Sequence, residues 1–290
     1  MPELPEVQTI VSDLNRKIKG QKIVGFWTDW PKLVKLPNPS DFKKKIKGLR
    51  IEKVERIGKN IVFFLSNNKA LLIHQKMTGH LMVGKWRIHK GKVETTENGP
   101  FKERVNKYIH ALFSLESGKM IALSDMRKFA RIALGEREKI LKLKDITQLG
   151  PDALDPKLTF GEFSRRIKAR HKSIKLTLMD PGVVAGIGNI YADDILWSAK
   201  VHPLRKANAI KEKELRAIFK YTRIVLKKAV RLRGTSVGDY RDTAGERGMY
   251  GKVLLAYRRT GEPCKRCGTP IRRTRAGQRS AHFCPHCQKL

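Results

Sequence analysis

The first clear pattern along the chain is a helical spacing of apolar residues near its start. The apolar positions at this spacing are Val7, Ile10, Val11, Leu14 and Ile18. Residues spaced in this way share one face of a helix, and the following Gly20 is a stop signal. The pattern therefore predicts an amphipathic helix that ends near Ile18.

Between about residues 21 and 135 the pattern changes to short runs of strand-forming residues. Runs at 61–65 and 70–74 flank Asn67-Asn68, and runs at 108–115 and 120–123 flank Ser117-Gly118. Strand runs separated by turn residues predict hairpins of an antiparallel sheet. Residues 85–104 contain Gly91, Gly99 and Pro100. We expect that segment to be an exposed loop.

After Arg137 the pattern becomes helical. Residues 138–149 predict one helix, closed by Gly150-Pro151, and Thr159 to Glu162 has capping-box spacing for a helix that runs to Lys168. Further helices are predicted over 173–179, 190–198 and 212–232. The segment from Gly234 to Gly251 is rich in Gly, Asp, Arg and Tyr, which predicts a mobile loop. The whole pattern is that of an α+β protein with two domains.

Net charge narrows the class of partner. The 290 residues include 62 Lys plus Arg against 27 Asp plus Glu, for a formal net charge of +35 and a pI near 10.3. This bias favours a polyanionic partner. An anionic membrane or an acidic protein would also match it, but the chain has neither a long apolar run nor a signal-peptide pattern. We therefore expect a cytosolic protein acting on nucleic acid; a basic proteome or a hot habitat is the alternative source of the charge.

All of the cysteines lie in the last 27 residues, as two C-x2-C pairs separated by sixteen residues: Cys264, Cys267, Cys284 and Cys287. In a cytosolic protein this spacing predicts a tetrahedral zinc site rather than disulfides. Zinc would also fix a tail that is too small to fold alone. A redox pair and an iron-sulfur cluster are the remaining alternatives.

The N-terminal sequence Met1-Pro2-Glu3 offers a reactive amine. Removal of Met1 would leave Pro2 with a free secondary amine, and a chain α-amine has a pKa near 8, against about 10.4 for lysine. Such a nitrogen is a competent nucleophile at neutral pH and forms a cationic iminium with an aldehyde-like carbon. Glu3 would exchange protons beside it. Alternatively, Pro2 and Pro5 only stiffen the terminus, and Glu3 and Glu6 favour the first turn of the helix.

Two further segments are suited to binding phosphate. The turn Gly186-Ile187-Gly188-Asn189 would direct backbone N–H groups and a helix N-terminus at an anion, although close helix packing explains such a turn equally well. Residues 264–290 hold seven Lys or Arg and no Asp or Glu. A β-ribbon with its turn near Ala276-Gly277 would present arginines to a DNA groove: Arg273, Arg275 and Arg279. A solvated charged face is the alternative.

Five segments that occur in this order resemble one known family. They are residues 1–7 (MPELPEV), 74–79 (HQKMTG), 124–129 (SDMRKF), 188–192 (GNIYA) and the terminal four-cysteine module. Together these segments resemble bacterial formamidopyrimidine-DNA glycosylases. The resemblance covers essentially the whole chain and includes three independent signatures: the N-terminal Pro-Glu, the helix-two-turn-helix segment and the zinc finger.

The resemblance implies a two-domain architecture. It comprises an N-terminal antiparallel β-sandwich with flanking helices, and a C-terminal helix-two-turn-helix domain with a β-ribbon zinc finger. The implied boundaries are 1–135 for the catalytic domain, 136–150 for a linker helix and 151–233 for the helical domain. Residues 234–261 would hold a lesion-capping loop and a connector, and residues 262–290 would form the zinc finger around one structural Zn²⁺.

The resemblance also implies base excision repair of oxidised purines such as 8-oxoguanine and formamidopyrimidines. Pro2 would attack C1′ of the damaged nucleotide and form a Schiff base, Glu3 would assist sugar-ring opening, and β,δ-elimination would cleave the strand. Lys59 matches the family's catalytic lysine. The implied partner is double-stranded DNA with an oxidised base or abasic site, bound by a monomer.

An enzyme that reaches C1′ must extrude the nucleotide from the duplex and fill the gap. The family's filling residues match Met77, Arg127 and Phe129, with Phe129 as the wedge and Arg127 addressing the orphaned base. Asn189 matches the family's phosphate-binding asparagine. Arg279 matches the zinc-finger arginine that holds the phosphates flanking the lesion.

The sequence departs from the family pattern at several positions. Gln75-Lys76 stand where Leu-Gly is usual, Met126 replaces a common Pro, and Asn60 replaces a common Tyr. These changes affect the expected shape of the Met77 turn and the lesion range. Two alternatives remain at this point: an endonuclease VIII-like enzyme acting on oxidised pyrimidines, and a non-catalytic zinc-ribbon DNA-binding protein that retains Met1.

Overall fold

The computed structural model describes residues 2–290, which form two compact units. Unit 1 holds the chain up to Thr147 together with Leu232–Met249, and unit 2 holds Gln148–Arg231 and Tyr250–Leu290. Residues 234–261, taken together in the sequence-based division, are therefore shared between the units. Among residues 2–290, no helix is both long enough and apolar enough to cross a membrane.

Unit 1 is built mainly from strands, and its β-strands are β1 (Ile23–Thr28), β2 (Val34–Leu36), β3 (Ile51–Ile57), β4 (Asn60–Leu65), β5 (Lys69–His74), β6 (His80–Gly84), β7 (Trp86–His89), β8 (Lys92–Thr95), β9 (Ile109–Leu115), β10 (Met120–Ser124) and β11 (Arg131–Glu136). Its helices are α1 (Leu4–Ile18), α2 (Pro39–Ile46), α3 (Arg137–Leu141) and α4 (Lys144–Thr147). The amphipathic N-terminal helix predicted from the apolar spacing is confirmed as α1.

Two sheets form the sandwich of unit 1. One has the strand order β1-β9-β10-β6 and the other β2-β11-β5-β4-β3, with antiparallel pairing except between β2 and β11. The predicted β4–β5 hairpin is confirmed, with Leu65 opposite Lys69. Asn67 and Asn68 have φ of 57° and 53° in its turn. Asparagine tolerates this left-handed conformation better than most residues, which is why the turn could be predicted locally.

The apolar face of α1 closes the core between the sheets. One continuous cluster joins Leu14 of α1 to Phe113 of β9 and Phe63 of β4, all fully buried. The rings of Phe26, Phe42 and Phe113 contact one another in tilted and edge-on arrangements, with centroids 4.6–6.4 Å apart. The expected antiparallel β-sandwich is therefore present, and its core fixes the start of α1 to both sheets.

The expectation of an exposed loop over residues 85–104 is wrong in part. The segment contains the β7–β8 hairpin and two short 3-10 helices, Gly99–Lys102 and Arg104–Asn106. Trp86 and Phe101 are buried against the face of the β1-β9-β10-β6 sheet that points away from the sandwich core. Their rings meet edge to face at 5.6 Å. These two aromatic side chains anchor a segment whose Gly and Pro content suggested a loop.

The single helix predicted over 138–149 is also wrong, because the chain forms α3 and α4 instead. Apolar side chains in this segment pack on the outer face of the second sheet: Ile140, Leu141, Leu143 and Ile146. On one straight helix these positions would point in several directions. The break at Lys142 lets all of them reach the same surface.

Unit 2 holds α5 (Phe160–Lys168), α6 (Ile174–Met179), α7 (Asn189–Ala199) and α8 (Glu212–Arg231), followed by the β-ribbon β12 (Arg272–Ala276) and β13 (Arg279–Phe283). The side chains of Thr159 and Ser173 cap α5 and α6 by accepting the N–H groups of Glu162 and Leu176. These helices and the predicted β-ribbon are confirmed. Trp197 of α7 joins Cys264, Ile271 and Cys284 in one buried cluster, so α7 packs on the zinc-finger segment.

Candidate active site and nucleic-acid interface

The reactive terminus lies at the start of α1 in unit 1. Pro2 and Glu3 are buried, and Glu3 is the N-cap of the helix. Glu3 and Glu6 form a capping box in which Glu3 N donates to Glu6 Oε2 at 2.8 Å. The sequence indicated Glu6 only as an acid that favours the first turn of the helix, and its position three residues after the cap completes the capping box. The capping box holds the backbone that carries the Pro2 nitrogen in a defined place.

Glu6 also anchors the loop of residues 232–249. Thr235 N donates to Glu6 Oε1 at 2.7 Å, and Met249 N donates to Leu232 O at 2.8 Å across the base of the loop. Gly234 has a φ of +78° and lies directly against the Glu6 carboxylate. The segment expected to cap the lesion therefore begins on the same carboxylate that orders Glu3.

The loop has a second anchor on α1. The Arg233 guanidinium binds the buried carboxylates of both Asp13 and Asp242, with Nε at 2.9 Å from Asp242 Oδ2. Thr243 Oγ1 donates to Asp13 Oδ2 at 2.9 Å. The loop predicted to be mobile is thus pinned at its base by charge-assisted hydrogen bonds.

A Gly234→Ala substitution is expected to release this anchor. A Cβ at position 234 would lie 2.7 Å from Glu6 Oε1, and the positive φ disfavours any side chain there. We expect a loss of at least ~1 kcal/mol of stability, measured by urea denaturation. Gly238→Ala is the matched control, because a Cβ there meets nothing within 4 Å. Equal stability of the two variants would contradict the anchoring role.

Lys59 lies in the turn between β3 and β4 and is half-buried. Arg56 braces this turn by donating to Gln8 Oε1 of α1 at 2.9 Å and to Gly58 O at 3.0 Å. The turn that carries Lys59 is therefore tied to the helix that carries the N-terminus.

His74 lies directly opposite Asn60 at the end of β5 and accepts the N–H of Lys76 through Nδ1 at 3.0 Å. Burial lowers the pKa of His74 to about 3, and the charges of Lys76 and Lys59 act in the same direction. His74 is thus a neutral group in a strongly positive neighbourhood. Such a cluster is suited to a phosphate.

The void-filling candidates are Met77, Arg127 and Phe129. The turns that carry them share one support that the sequence did not indicate. Asp125 is fully buried; its Oδ2 accepts Phe129 N at 2.7 Å and Ala130 N at 2.8 Å. The same carboxylate binds Thr78 Oγ1, which in turn accepts Arg127 N at 3.1 Å. One carboxylate therefore orders both the 125–130 turn and the residue that follows Met77.

The side chains on these turns are presented outward. Phe129 is 47% exposed, which is unusual for a large apolar ring, and the Arg127 guanidinium lies 4.6 Å from its centroid. Met77 is half-buried. The structure thus gathers Met77, Arg127 and Phe129 around Asp125, with an exposed aromatic ring of the kind that enters a base step.

The departures from the family pattern leave polar groups in buried positions. Within residues 2–290, neither side-chain polar atom of Gln75 has a hydrogen-bond partner, and the same holds for Asn60 Oδ1. Gly79 N donates to Gln75 O at 3.1 Å, so the turn that carries Met77 still closes. A Cβ on Gly79 would lie 2.4 Å from Gln75 O, which explains the glycine there.

The phosphate-binding candidates lie in unit 2. Asn189 is the first residue of α7, and it lines a cleft of about 500 Å³ together with three arginines of the β-ribbon: Arg273, Arg275 and Arg279. A helix N-terminus and guanidinium groups around one cleft make a strong anion site. The arginines predicted from the acid-free tail and the asparagine of the Gly-rich turn are thus brought together.

A buried ion network fixes this cleft. Lys175 of α6 is fully buried, and its Nζ lies 2.5 Å from Asp193 Oδ1 of α7. Asp193 Oδ2 accepts His282 N at 3.0 Å and lies 2.8 Å from His282 Nδ1 on β13. Asp193 thereby joins α6 and α7 to the strand that begins with Arg279. Nothing in the local sequence around Asp193 indicates this role, because its partners are 18 and 89 residues away.

The terminal cysteines meet as the spacing predicted. Their four Sγ atoms all lie within 4.8 Å of one another, and Cys264 and Cys284 are buried. Trp197 Nε1 donates to Cys264 Sγ at 3.3 Å. Zn–S bonds of about 2.3 Å in a tetrahedron need sulfurs about 3.8 Å apart, so the cluster fits one zinc ion.

Domain models of known families match most of the chain. Residues 1–132 match the formamidopyrimidine-DNA glycosylase N-terminal domain, residues 149–241 match the formamidopyrimidine-DNA glycosylase H2TH domain, and residues 261–290 match the zinc finger found in FPG and IleRS. The formamidopyrimidine-DNA glycosylase of Herpetosiphon aurantiacus is 38% identical over 289 residues, covering 99% of this chain and 100% of the relative. The chain belongs to the formamidopyrimidine-DNA glycosylase family.

Solved structures agree with this assignment. A Lactococcus lactis FPG variant bound to Fapy-dG DNA has a TM-score of 0.87 and 29% identity, covering 100% of both chains. Wild-type Lactococcus lactis FPG bound to DNA with an oxidised pyrimidine has a TM-score of 0.86 and 29% identity, again over 100% of both chains. The predicted family and fold class are therefore confirmed, including the FPG-type zinc finger with one structural zinc held by the four cysteines.

The predicted site residues are distributed over both units. Pro2, Glu3 and Lys59 lie in unit 1 with the void-filling candidates, and the phosphate-binding candidates lie in unit 2. Their individual roles stay predictions. The removal of Met1 concerns a residue outside the described part of the chain. The supporting acids Asp125 and Asp193 were missed because their partners are distant in sequence.

Proposed function

We propose that the protein is a bifunctional base excision repair enzyme. It removes oxidised purines such as 8-oxoguanine and formamidopyrimidines from double-stranded DNA and then cleaves the strand at the abasic site. One observation carries the proposal: the Pro2-Glu3 terminus is buried in a capping box tied to the Gly234-Thr235 loop base. The Glu6 carboxylate of the capping box accepts both Glu3 N and Thr235 N. If the terminus served only to begin a helix, the loop would not need to be anchored on that carboxylate.

In the proposed reaction the Pro2 nitrogen bonds to C1′ of the damaged nucleotide, and the glycosidic bond breaks as the base leaves with a proton. Glu3 protonates the ring oxygen as the sugar opens, which gives an iminium. The iminium acidifies C2′–H, so the 3′ phosphate leaves first and the 5′ phosphate leaves after a second proton loss. Lys59 assists proton transfer and contacts phosphate, and water finally releases the enzyme.

Extrusion of the nucleotide costs a few kcal/mol of unstacking. Phe129 offsets this cost by entering the base step, while Met77 fills the vacated space and Arg127 meets the orphaned base. The Asp125 hydrogen bonds hold the backbone of this turn before DNA arrives. This preorganisation reduces the ordering that binding requires.

Unit 2 supplies further phosphate contacts in this proposal, in addition to that of Lys59 in unit 1. Asn189 and Arg279 bind backbone phosphates, and the zinc ion fixes the β-ribbon that carries Arg279. We expect Arg279→Ala, or zinc removal by a chelator, to weaken binding to lesion DNA. For Arg279→Ala we also expect the salt slope of binding to fall by about 1. Unchanged affinity across a salt series would contradict this role.

The set of damaged bases that the enzyme excises tests whether it prefers oxidised purines. A Lactococcus lactis relative has been solved with oxidised-pyrimidine DNA, so pyrimidines belong in the same assay. We expect single-turnover excision of 8-oxoguanine opposite cytosine and of formamidopyrimidine to be faster than excision of oxidised pyrimidines. Strand products should end in phosphate on both sides of the gap, as β,δ-elimination requires. Faster pyrimidine excision would favour the endonuclease VIII-like alternative.

The remaining alternative is a non-catalytic DNA-binding protein that retains Met1. In that form the Pro2 nitrogen is an amide and cannot form an iminium. Intact mass spectrometry of the purified protein distinguishes the two forms. We further propose that the enzyme acts as a monomer on chromosomal DNA in the bacterial cytosol, consistent with a net charge of +35.

A further inference from the structure

Residues 99–106 of unit 1 have no part in the proposed reaction, yet they contact the loop of residues 232–249. They form two short 3-10 helices, Gly99–Lys102 and Arg104–Asn106, with Glu103 between them. Glu103 N donates to Pro100 O at 2.9 Å, and Phe101 is buried against the face of the β1-β9-β10-β6 sheet that points away from the sandwich core. The backbone of Glu103 therefore has a fixed position.

The Glu103 carboxylate receives two arginines of the loop. Arg241 donates to Glu103 Oε2 through Nε at 2.8 Å, and its Nη2 lies 2.6 Å from the same oxygen. Arg247 Nε lies 3.6 Å from Glu103 Oε1. The side chain of Arg241 is only 4% exposed, whereas that of Arg247 is 64% exposed. A buried guanidinium depends on its carboxylate far more than an exposed one does, so Arg241 is the important partner.

Arg241 also orders the tip of the loop, which we define as residues 236–240. Arg241 Nη1 donates to Tyr240 O at 2.7 Å and to Gly238 O at 3.3 Å. Ser236 Oγ donates to the same Tyr240 carbonyl at 2.7 Å. A guanidinium can bind a carboxylate and backbone carbonyls together because its five N–H groups form a fixed fork. Glu103 therefore fixes the tip through Arg241.

A neutral contact supports the same arrangement. The buried side chain of Asn106 donates through Nδ2 to Pro100 O at 2.7 Å and to Gly245 O of the loop at 3.3 Å. Its Oδ1 lies 2.7 Å from His80 Nε2 at the start of β6. Because Nδ2 donates, Oδ1 is the acceptor and the histidine donates to it. Residues 99–106 thus hold the loop at two places.

The opposite end of the tip lies close to the N-terminus. Thr235, directly before the tip, donates its N–H to Glu6 Oε1, while Glu3 N donates to Glu6 Oε2. Residues 236–239 are half-buried or exposed. The tip is therefore held between the N-terminal capping box on one side and Glu103 on the other, with part of its surface open to a ligand.

We propose that Glu103 is a positioning residue for excision of the damaged base: it holds Arg241, and Arg241 holds the loop tip against the extruded base beside Pro2. This role rests on the proposed function. An abasic site has no base for the tip to cover. Glu103 and Arg241 therefore control the rate of base removal and leave strand cleavage at a preformed abasic site unaffected.

Single-turnover rates on two substrates test the proposal, with Met1-free protein throughout. Glu103→Gln should slow excision of 8-oxoguanine opposite cytosine at least about 10-fold, yet keep borohydride trapping on preformed abasic-site DNA within about twofold of the wild type. Arg241→Lys should show the same selective loss, because one ammonium group cannot reproduce the fork that joins Glu103 to two carbonyls. Trapping on abasic DNA also reports that each variant is folded.

Glu138→Gln is the matched control, because it removes the same charge from an exposed pair. Glu138 pairs with Lys142 on the surface, and both side chains are more than 70% exposed. Any general gain in DNA affinity from the lost negative charge should be shared by both variants. We expect Glu138→Gln to keep both rates of the wild type.

Hydrogen exchange of the DNA-free protein tests the positioning without the reaction. Within the loop, Asp242 N donates to Glu246 O at 2.9 Å, and Gly245 N donates to Asp242 O at 2.9 Å. Glu103→Gln should speed exchange of these amides at least about 10-fold, since the loop opens more often when Arg241 loses its carboxylate. Glu138→Gln should leave their exchange unchanged.

The outcomes separate this role from the proposed function. Wild-type rates on both substrates in Glu103→Gln would overturn the proposal, and so would a parallel loss on both, which is the mark of a merely structural residue. A wild type that neither excises bases nor cleaves abasic sites would overturn the proposed function and, with it, the role at the base. Unchanged exchange in Glu103→Gln would show that Glu103 does not order the loop.

Discussion

Pro2→Gly is expected to slow borohydride trapping on DNA that contains 8-oxoguanine opposite cytosine by about 100-fold, because glycine keeps an amine but loses the ring that fixes its position. Both proteins must lack Met1 for the comparison to hold. Pro5→Ala is the matched control at the same terminus. Pro5 lies inside the first turn of α1, and the carbonyl that accepts Thr9 Oγ1 is kept in the variant.

Trapping is the informative readout because it records the covalent intermediate rather than binding. Borohydride reduction of an iminium leaves a stable amine bond between protein and DNA, whereas a protein that merely binds the lesion forms no such bond and gives no signal. A form that retains Met1 should bind DNA and yet give no trapped complex. Equal trapping rates for Pro2→Gly and wild type would contradict the role given to the proline ring, and a trapped complex from the form that retains Met1 would contradict the proposed nucleophile.

Asp193→Ala is expected to destabilise the protein by about 3–5 kcal/mol, since it leaves the Lys175 ammonium buried without its carboxylate. Lys175 and Asp193 both have side chains that are fully inaccessible to solvent. The loss should appear in chemical denaturation and in earlier release of zinc to a chromophoric chelator, because Asp193 also holds His282 within the zinc finger. Affinity for lesion DNA should fall with it.

The matched control for this variant is Glu212→Ala on α8. Glu212 forms an ion pair with Arg216 at 2.6 Å, and both side chains are more than 60% exposed. Removal of an exposed helix pair costs only about 0.3–0.5 kcal/mol. Replacing both buried partners, as Lys175→Met with Asp193→Leu, should recover much of the lost stability. A loss in Asp193→Ala no larger than in Glu212→Ala would contradict the network's role.

Local chemistry explains what the sequence could predict. The α1 helix follows from apolar spacing, the β4–β5 hairpin from two adjacent asparagines, and the zinc cluster from two C-x2-C pairs. In each case the residues that determine the structure are neighbours in the chain. The candidate catalytic residues were found through motifs of the same local kind.

The supports of the site depend on contacts between distant segments. Asp125 reaches Thr78 across 47 positions, and Glu6 reaches Thr235 across 229. Asp125 has no sequence context that separates it from a surface carboxylate, and the capping-box spacing of Glu6 gives no sign of its contact with Thr235. The 85–104 segment was misread for a related reason, since the burial of Trp86 and Phe101 depends on a sheet face formed by other strands.

Mass mapping of the borohydride-reduced complex identifies the nucleophile, which we propose to be the Pro2 nitrogen. The reduced complex with 8-oxoguanine DNA would be digested and its peptides sequenced to locate the deoxyribose-derived adduct. We expect an adduct on the nitrogen of Pro2 in the Met1-free N-terminal peptide. An adduct on Lys59 or on any other lysine, with Pro2 unmodified, would contradict it.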